Sequence, residues 1–232
     1  MKYKPYLLKD VYNAASQKKF DVISTFAGGG GSSTGYKLAG GNVLAVNEFV
    51  EEARTTYNQN YPETPILPDD IKKLSGQEFL DITGIKSGEL DVLDGSPPCS
   101  AFSMAGNLSH GKGNSHKDAF GKTKGYSDIK EVTNVEDLFF EFLRVADVIK
   151  PKVIIAENVA GLTMGEAKQY FNKIQNTFEQ IGYLVVADVL NTSYFGVPQA
   201  RKRYFFIGVR EDVADKIGLN FMTMYQLYPE AN

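Results

Sequence analysis

The single cysteine of the chain, Cys99, sits in "DGSPPCSAFS", directly after two prolines and directly before two small residues. Pro97 and Pro98 fix two backbone φ angles and restrict the residues before them, which suits a thiol held in one orientation for nucleophilic attack. A lone cysteine also serves as an ordinary small core residue, and this stretch alone does not separate the two. A carboxylate and an amide, Glu157 and Asn158, follow at once on the apolar run "KVIIA", where they can act on a ligand or cap the next turn. In "PQARKRYFFIG", Gln199, Arg201 and Arg203 stand at alternate positions entering a strand, so all three share one face. Guanidinium forks on such a face suit carbonyl or phosphate oxygens, although a solvated sheet edge would use them equally.

A second chemical signal is the glycine-rich turn "FAGGGGSSTG", which lets the backbone bend tightly and approach a ligand, with the next helix presenting its free amides to the same crevice. Counted from Gly28, the third glycine of a G-x-G-x-x-G dinucleotide fingerprint is replaced by Ser33, which weakens that reading. Glu48 lies twenty positions after Gly28 at the end of the second strand, where an acid can accept hydrogen bonds from ribose hydroxyls or simply end the strand. Turn and acid together point to a nucleoside-containing cofactor without choosing one.

The elements that must position these groups alternate. Apolar, β-branched runs occur at "FDVISTFA", "NVLAVNE", "DVLDG", "KVIIAENV", "YLVVADVL" and "RYFFIGV", and helix-like stretches at "STGYKLAG", "VEEARTTYNQNY", "VEDLFFEFLRVADVIK" and "GEAKQYFNKIQNTFEQIG". Strand–helix alternation predicts a doubly wound α/β domain with a mostly parallel sheet. The last two strands are joined by "NTSYFGVPQA", too short for a crossover helix, so they should pair antiparallel at one sheet edge. Val135, Leu138, Phe139, Phe142, Val145 and Ala146 recur at the spacing of one buried helix face, and Pro151 stops that helix. Residues 105–133 show no periodicity.

Composition narrows the class. With 43% hydrophobic and 12% aromatic residues a sizeable core is available, and one cysteine excludes an intramolecular disulfide or a cysteine-only zinc site. No metal site is expected, and the absence of a signal-peptide core or a membrane-length apolar run favours a soluble, cytoplasmic protein. The net charge of -3 does not advertise a nucleic-acid binder, yet residues 110–130 hold five lysines and two histidines against two aspartates. Such a run is commonly a solvated loop, unless a polyanion lies nearby.

Taken together, "FAGGGG" at 26–31, "NE" at 47–48, "GSPPCSAFS" at 95–103, "ENV" at 157–159 and "QARKR" at 199–203 resemble the cytosine-5 DNA methyltransferases in order, content and spacing. The resemblance runs from about Phe20 to Val209. It implies a Rossmann-like, S-adenosylmethionine-dependent methyltransferase fold, releasing S-adenosylhomocysteine, that acts on a flipped cytosine of double-stranded DNA. By the same resemblance Cys99 would add to carbon 6, Glu157 would contact ring nitrogen 3 and the exocyclic amine, and Arg203 would hold the ring carbonyl with Arg201 beside it. Pro97, Ser100, Asn158 and Gln199 would line the substrate side. Phe26, Gly28, Gly30, Glu48, Phe49, Asp70, Ile71, Pro98 and Leu138 would line the cofactor pocket. The lysines of residues 110–130 would then meet phosphates.

The pattern departs from the family at Ser100, where many bacterial members have Gln, and at Phe49, where Trp is common. After "QARKR" the family continues into a target-recognition domain and a returning "GN" motif, neither of which matches here. The expected layout is an N-terminal extension over 1–20, a catalytic domain over 21–210 and a C-terminal remnant over 211–232. The N-terminal "YLLKDVYNAAS" reads as an extra helix. A split or truncated catalytic part is therefore expected, with a second chain able to supply recognition. A transfer-RNA cytosine-5 methyltransferase and a non-catalytic cofactor- or DNA-binding subunit are the alternatives.

Overall fold

The computed structural model describes residues 6–98, 138–160 and 167–230. The expected irregular stretch 105–133 and the helix position Val135 lie outside them. Within the described residues a seven-stranded sheet runs through the molecule in the order β3-β2-β1-β4-β5-β7-β6. Its strands are β1 (Phe20–Thr25), β2 (Gly41–Asn47), β3 (Ile66–Leu67), β4 (Val92–Gly95), β5 (Val153–Val159), β6 (Tyr183–Asn191) and β7 (Lys202–Arg210). The helices are α1 (Leu8–Ala15), α2 (Gly31–Leu38), α3 (Glu51–Asn60), α4 (Gly76–Thr83), α5 (Leu138–Ile149), α6 (Ala167–Gln180), α7 (Glu211–Lys216) and α8 (Phe221–Met224).

The doubly wound α/β expectation is met. Strands β1 to β5 pair in parallel, as βαβ crossovers require, and β7 alone runs against its neighbours β5 and β6. The short connection between β6 and β7 makes the hairpin foreseen from its length, with Tyr183 opposite Arg210 and Asn191 opposite Lys202. The reversed strand slots between β5 and β6, because the α6 crossover carries β6 one place past β5 and leaves a gap that only the returning hairpin arm can fill.

Period-two alternation assigns the two faces. Ile23, Leu93, Ile154 and Ala156 point to one side, where Phe139, Phe142, Phe178 and Phe206 form the largest core with α4, α5 and α6. Phe139 meets Phe206 edge-on at 5.3 Å, and Phe178 stacks on Phe206 at 6.3 Å. On the other side Val22, Val43 and Val46 pack with Tyr57 and Tyr61 of the α3 region and with Val11 of α1. The extra N-terminal helix is thus present, anchored by the Tyr12 hydroxyl donating to the Asn60 carbonyl at 2.6 Å. A third cluster, Val186, Val209, Ala214 and Met224, folds α7 and α8 back onto β6 and β7.

β3, α4, α7 and α8 were not foreseen. β3 is two residues long and leaves no periodic trace. α4 does carry a start signal, since the backbone N–H of Ser75 donates to Glu78 Oε2 at 2.6 Å, the reach-back half of a capping box. No helix among the described residues is long and apolar enough to cross a membrane.

Gly95 closes β4 immediately before the proline–cysteine stretch, and a Cβ there would lie 2.5 Å from the Phe142 ring and 2.8 Å from Thr25 Oγ1. Both neighbours are buried, so neither can retreat cheaply. Gly95→Ala is expected to destabilise the fold by about 1–3 kcal/mol through overpacking, measured by urea unfolding. An unchanged midpoint would show that this strand end yields easily.

Candidate active site

Parallel strands all finish on the same edge of the sheet, so the C-terminal ends of β1, β2, β4 and β5 gather there. β7 runs the other way, and its first residues therefore reach that same edge: Arg203 pairs with Val159, the last residue of β5. This single reversal places the "QARKR" side chains beside "ENV". The Arg203 Nε lies 2.9 Å from Glu157 Oε1, and Arg201 Nη2 approaches the same oxygen at 4.0 Å. Gln199 lies before the strand in the connecting bend, where its carbonyl accepts from Thr192 Oγ1 at 2.6 Å. Of the three alternating positions the structure thus brings two arginines to the carboxylate and leaves Gln199 exposed nearby.

Glu157 is partly buried, with 27% of its side chain exposed. Burial pushes its carboxyl above the ordinary value of 4.5, Arg203 and then Arg201 pull it back, and the carboxylate of Asp94 reinforces the rise. A carboxyl so balanced can hold or release a proton near a ligand.

Asn158 is buried at 3% exposure and does two things. Its Oδ1 accepts from the N–H of Val159 at 2.7 Å, the local turn role foreseen for it. Its Nδ2 donates to the Pro97 carbonyl at 3.3 Å, which holds the segment leading to the cysteine against the end of β5. Ser96 Oγ donates to the Phe26 carbonyl at 3.3 Å and ties that segment to the glycine turn. Pro97 is buried and Pro98 half-buried, whereas Cys99 and Ser100 lie outside the described residues.

The glycine turn needs its glycines at two places for different reasons. Gly28 has φ +54° with no atom within 4 Å of a would-be Cβ, leaving open space for a ligand to approach the backbone. Gly30 has φ +95°, and a Cβ there would press on the Tyr57 and Tyr61 rings at 3.1–3.2 Å. Phe26 itself adopts a positive φ of 53°.

Glu48 is 8% exposed and closes the turn: Oε2 accepts from Gly28 N and Oε1 from Val50 N, each at 2.7 Å. Each oxygen keeps further lone-pair capacity for a ribose hydroxyl. Phe49 beside it is 48% exposed, presenting an aromatic face.

Asp70 and Ile71 reach the same region through Asn47, whose Nδ2 donates to the carbonyls of Leu67 at 3.0 Å and Asp69 at 2.9 Å. Asp70 Oδ1 accepts from Lys72 N at 3.0 Å, and the Ile71 carbonyl accepts from Arg144 Nη2 at 2.9 Å. Leu138 packs into the main core at the start of α5.

Three contributors went unassigned in the sequence: Asn47, Arg144 and Asp94. Arg144 left only an ordinary helix pair with Glu141 as a trace, since the partners of its Nη2 are backbone carbonyls about 70 residues away. Asp94 did leave one: an acid inside a buried parallel strand is costly unless several donors meet it. They do, as Ser24 and Ser32 donate to its carboxylate at 2.7 and 2.6 Å and Tyr36 at 3.1 Å.

The balance at Glu157 has a stability signature. A carboxyl whose folded-state pKa is raised binds protons more tightly in the native than in the unfolded chain. Its contribution is therefore most favourable below 4.5 and is lost as pH rises through the folded value. Arg203→Gln removes the largest opposing influence, so this loss should extend to higher pH than in the wild type. Urea unfolding over a pH series checks it, with Arg203→Gln/Glu157→Gln expected to lack the added dependence. Identical profiles for the single and double variants would assign it to another group.

With this geometry in hand, comparison with known proteins is specific. The profile of the C-5 cytosine-specific DNA methylase family matches residues 20–230. Type II methyltransferase M.Eco47II of Escherichia coli is 34% identical over 211 residues, covering 90% of this chain and 44% of its own length. M1.HphI of Haemophilus parahaemolyticus is 35% identical over 189 residues, 82% of this chain and 45% of its own. M.NgoPII of Neisseria gonorrhoeae is 31% identical over 195 residues, 84% and 49%. The chain thus spans about half the length of these relatives. Among solved structures, a protein encoded within an Escherichia coli prophage superposes with a TM-score of 0.67 at 24% identity, over 92% of this chain and 52% of that one. The Dnmt2 methyltransferase of S. pombe superposes with 0.60 at 18% identity, over 92% and 57%. The sequence motifs, the strand-edge site and the family match agree: this chain belongs to the C-5 cytosine-specific DNA methylase family.

Proposed function

We propose that the chain carries the catalytic part of a DNA cytosine-5 methyltransferase that uses S-adenosylmethionine. The observation that carries this reading is the meeting of Glu157 with Arg203 and Arg201 beside the Pro97 segment that leads into Cys99.

The cofactor fits the residues present. The open backbone at Gly28 admits a ligand, Glu48 can accept from ribose hydroxyls, and the exposed Phe49 ring offers a stacking face for an adenine. Phe26, Gly30, Asp70, Ile71, Pro98 and Leu138 complete the proposed pocket. When bound, S-adenosylmethionine supplies an electrophilic methyl group.

The residues of the chain do the remaining work. The Cys99 thiolate adds to carbon 6 of cytosine, which turns carbon 5 into a nucleophile, and loss of the carbon 5 proton after methyl transfer expels the thiolate. Glu157 binds nitrogen 3 and the exocyclic amine and shares a proton as charge builds on the ring, a task suited to a carboxyl raised by burial. Arg203 holds the ring carbonyl, with Arg201 adjacent. Pro97, Ser100, Asn158 and Gln199 shape the substrate side. Carbon 6 is inaccessible within a stacked duplex, so the target base must be flipped, and the lysines of residues 110–130 provide phosphate contacts. Sequence recognition is assigned to a further polypeptide segment, in the same or a second chain. The setting proposed is cytoplasmic.

Mass spectrometry of the chain with S-adenosylmethionine and duplex DNA containing 5-fluorocytosine, with and without a recognition half, tests the reading. A covalent adduct through Cys99 is expected, and Cys99→Ser should abolish it. Glu157→Gln should slow methyl transfer by about 10²–10⁴-fold, the usual scale of general acid–base assistance. No adduct even with a complementing recognition half would sink the proposal.

A further inference from the structure

Asp94 lies at the centre of the sheet, in β4, paired in register with Ser24 of β1 and Ile155 of β5. It is 8% exposed and has no ion-pair partner among the described residues. In place of a cation it has hydroxyls. Oδ2 accepts from Ser24 Oγ at 2.7 Å and from Ser32 Oγ at 2.6 Å, Oδ1 accepts from the Tyr36 hydroxyl at 3.1 Å, and its main-chain carbonyl accepts from Thr25 Oγ1 at 3.1 Å. Burial raises the Asp94 carboxyl, and the Ser32, Ser24 and Tyr36 hydrogen bonds all pull it back. An apolar residue would fill a parallel strand at no desolvation cost, so stability alone does not account for a buried acid here.

The donors explain it. Ser32 and Tyr36 both belong to α2, the helix that grows directly out of the glycine turn, and Ser32 is its second residue. The turn is therefore held by two carboxylates. Glu48 grips its entrance through Gly28 N, and Asp94 grips its exit through Ser32. Asp94 is also only two residues from Ser96, whose hydroxyl bonds back to Phe26 at the start of the turn. We propose that Asp94 is a positioning residue for cofactor binding: through Ser32 it clamps the glycine turn to the end of β4, fixing the turn relative to the strand that leads to Pro97 and Cys99. This rests on the glycine turn being the S-adenosylmethionine site.

Ser32 gives the cleanest test because the residue is exposed, so its truncation opens no cavity and leaves Asp94 the Ser24 and Tyr36 donors. In the full chain, Ser32→Ala is expected to weaken S-adenosylhomocysteine binding by about tenfold in calorimetry, the scale of one hydrogen bond to a charged group. Amide hydrogen exchange should accelerate over residues 28–34 while β1 and β5 stay protected, and the thermal midpoint should fall by only a few degrees, the scale of one lost hydrogen bond. Ser32→Thr keeps the hydroxyl and should restore both affinity and protection, which a merely structural defect would not do. Asp94→Asn should reproduce the Ser32→Ala phenotype and add little when combined with it. If the wild-type chain binds and both variants match it in affinity and exchange, the inference is overturned. If the wild-type chain binds no S-adenosylhomocysteine, the cofactor reading itself falls, and the clamp loses its purpose.

Discussion

The antiparallel course of β7 is the constraint on which the candidate site rests. In a purely parallel sheet the start of a seventh strand would lie at the opposite edge from the ends of β4 and β5, a full strand length away. Because β7 pairs in reverse with β5, its first residues face the last residues of β5, and Arg203 can ion-pair with Glu157 at 2.9 Å. The hairpin that permits this is short, with a single 3₁₀ turn at Thr192–Phe195 and Gly196 at φ +78° turning the chain back. It is anchored on both faces by unrelated packing. Phe206 fills the main core, while the Tyr228 hydroxyl donates to the carbonyls of Phe205 and Val186 from the other side. The arginines are thus carried by a strand that cannot shift without disrupting two clusters.

What that placement produces is a contest between desolvation and charge. The Glu157 carboxylate is removed far enough from water for its charged form to be disfavoured, and the guanidinium groups restore only part of the loss. Two arginines on one oxygen would be excessive for a structural ion pair, which needs one fork. The reaction proposed for this site, which binds a carbonyl and stabilises charge as it develops, has use for both. Asp94, on the adjacent strand and the same sheet face, opposes the arginines electrostatically. Protonation of Glu157 is therefore set by groups from β4, β5 and β7 together.

Much of this was legible in the residue order, for identifiable reasons. Alternating β-branched runs and helical stretches fix the doubly wound class, and the short link "NTSYFGVPQA" leaves only a hairpin for β6 and β7. Glu48, Glu157 and the arginines stood out because polar groups at strand ends need a reason. What escaped were interactions between distant segments that no local pattern encodes. Asn47 gathers the backbone after β3, and Arg144 reaches from α5 to the carbonyls of Ile71 and Leu74. Asp94 shows the limit most clearly. Its position inside "DVLDG" was visible, but its partners Ser24, Ser32 and Tyr36 come from another strand and another helix, and only the fold brings them within hydrogen-bond reach. β3 was invisible because two residues have no period.

Every described group proposed for chemistry comes from residues 26–203, and the contacts that position them extend from β1 to Tyr228. The chain spans about half the length of the curated relatives it matches. On the proposed reading, placing the reacting groups falls to this chain and reading the DNA sequence to a further segment. Joining them in one polypeptide keeps the recognising part at a high effective concentration over the site, on the order of millimolar for a short flexible connection. Two separate chains can reach the same end only through an interface or through DNA that both grip, since the proposed reaction needs the flipped base and the cofactor held together. DNA is the economical bridge, because each part then contributes salt-dependent phosphate contacts to one duplex and neither needs high affinity alone. On the proposed reading, a catalytic part with a net charge of -3 gains most from such an arrangement, as its attraction to a duplex would be confined to local clusters of lysine and arginine.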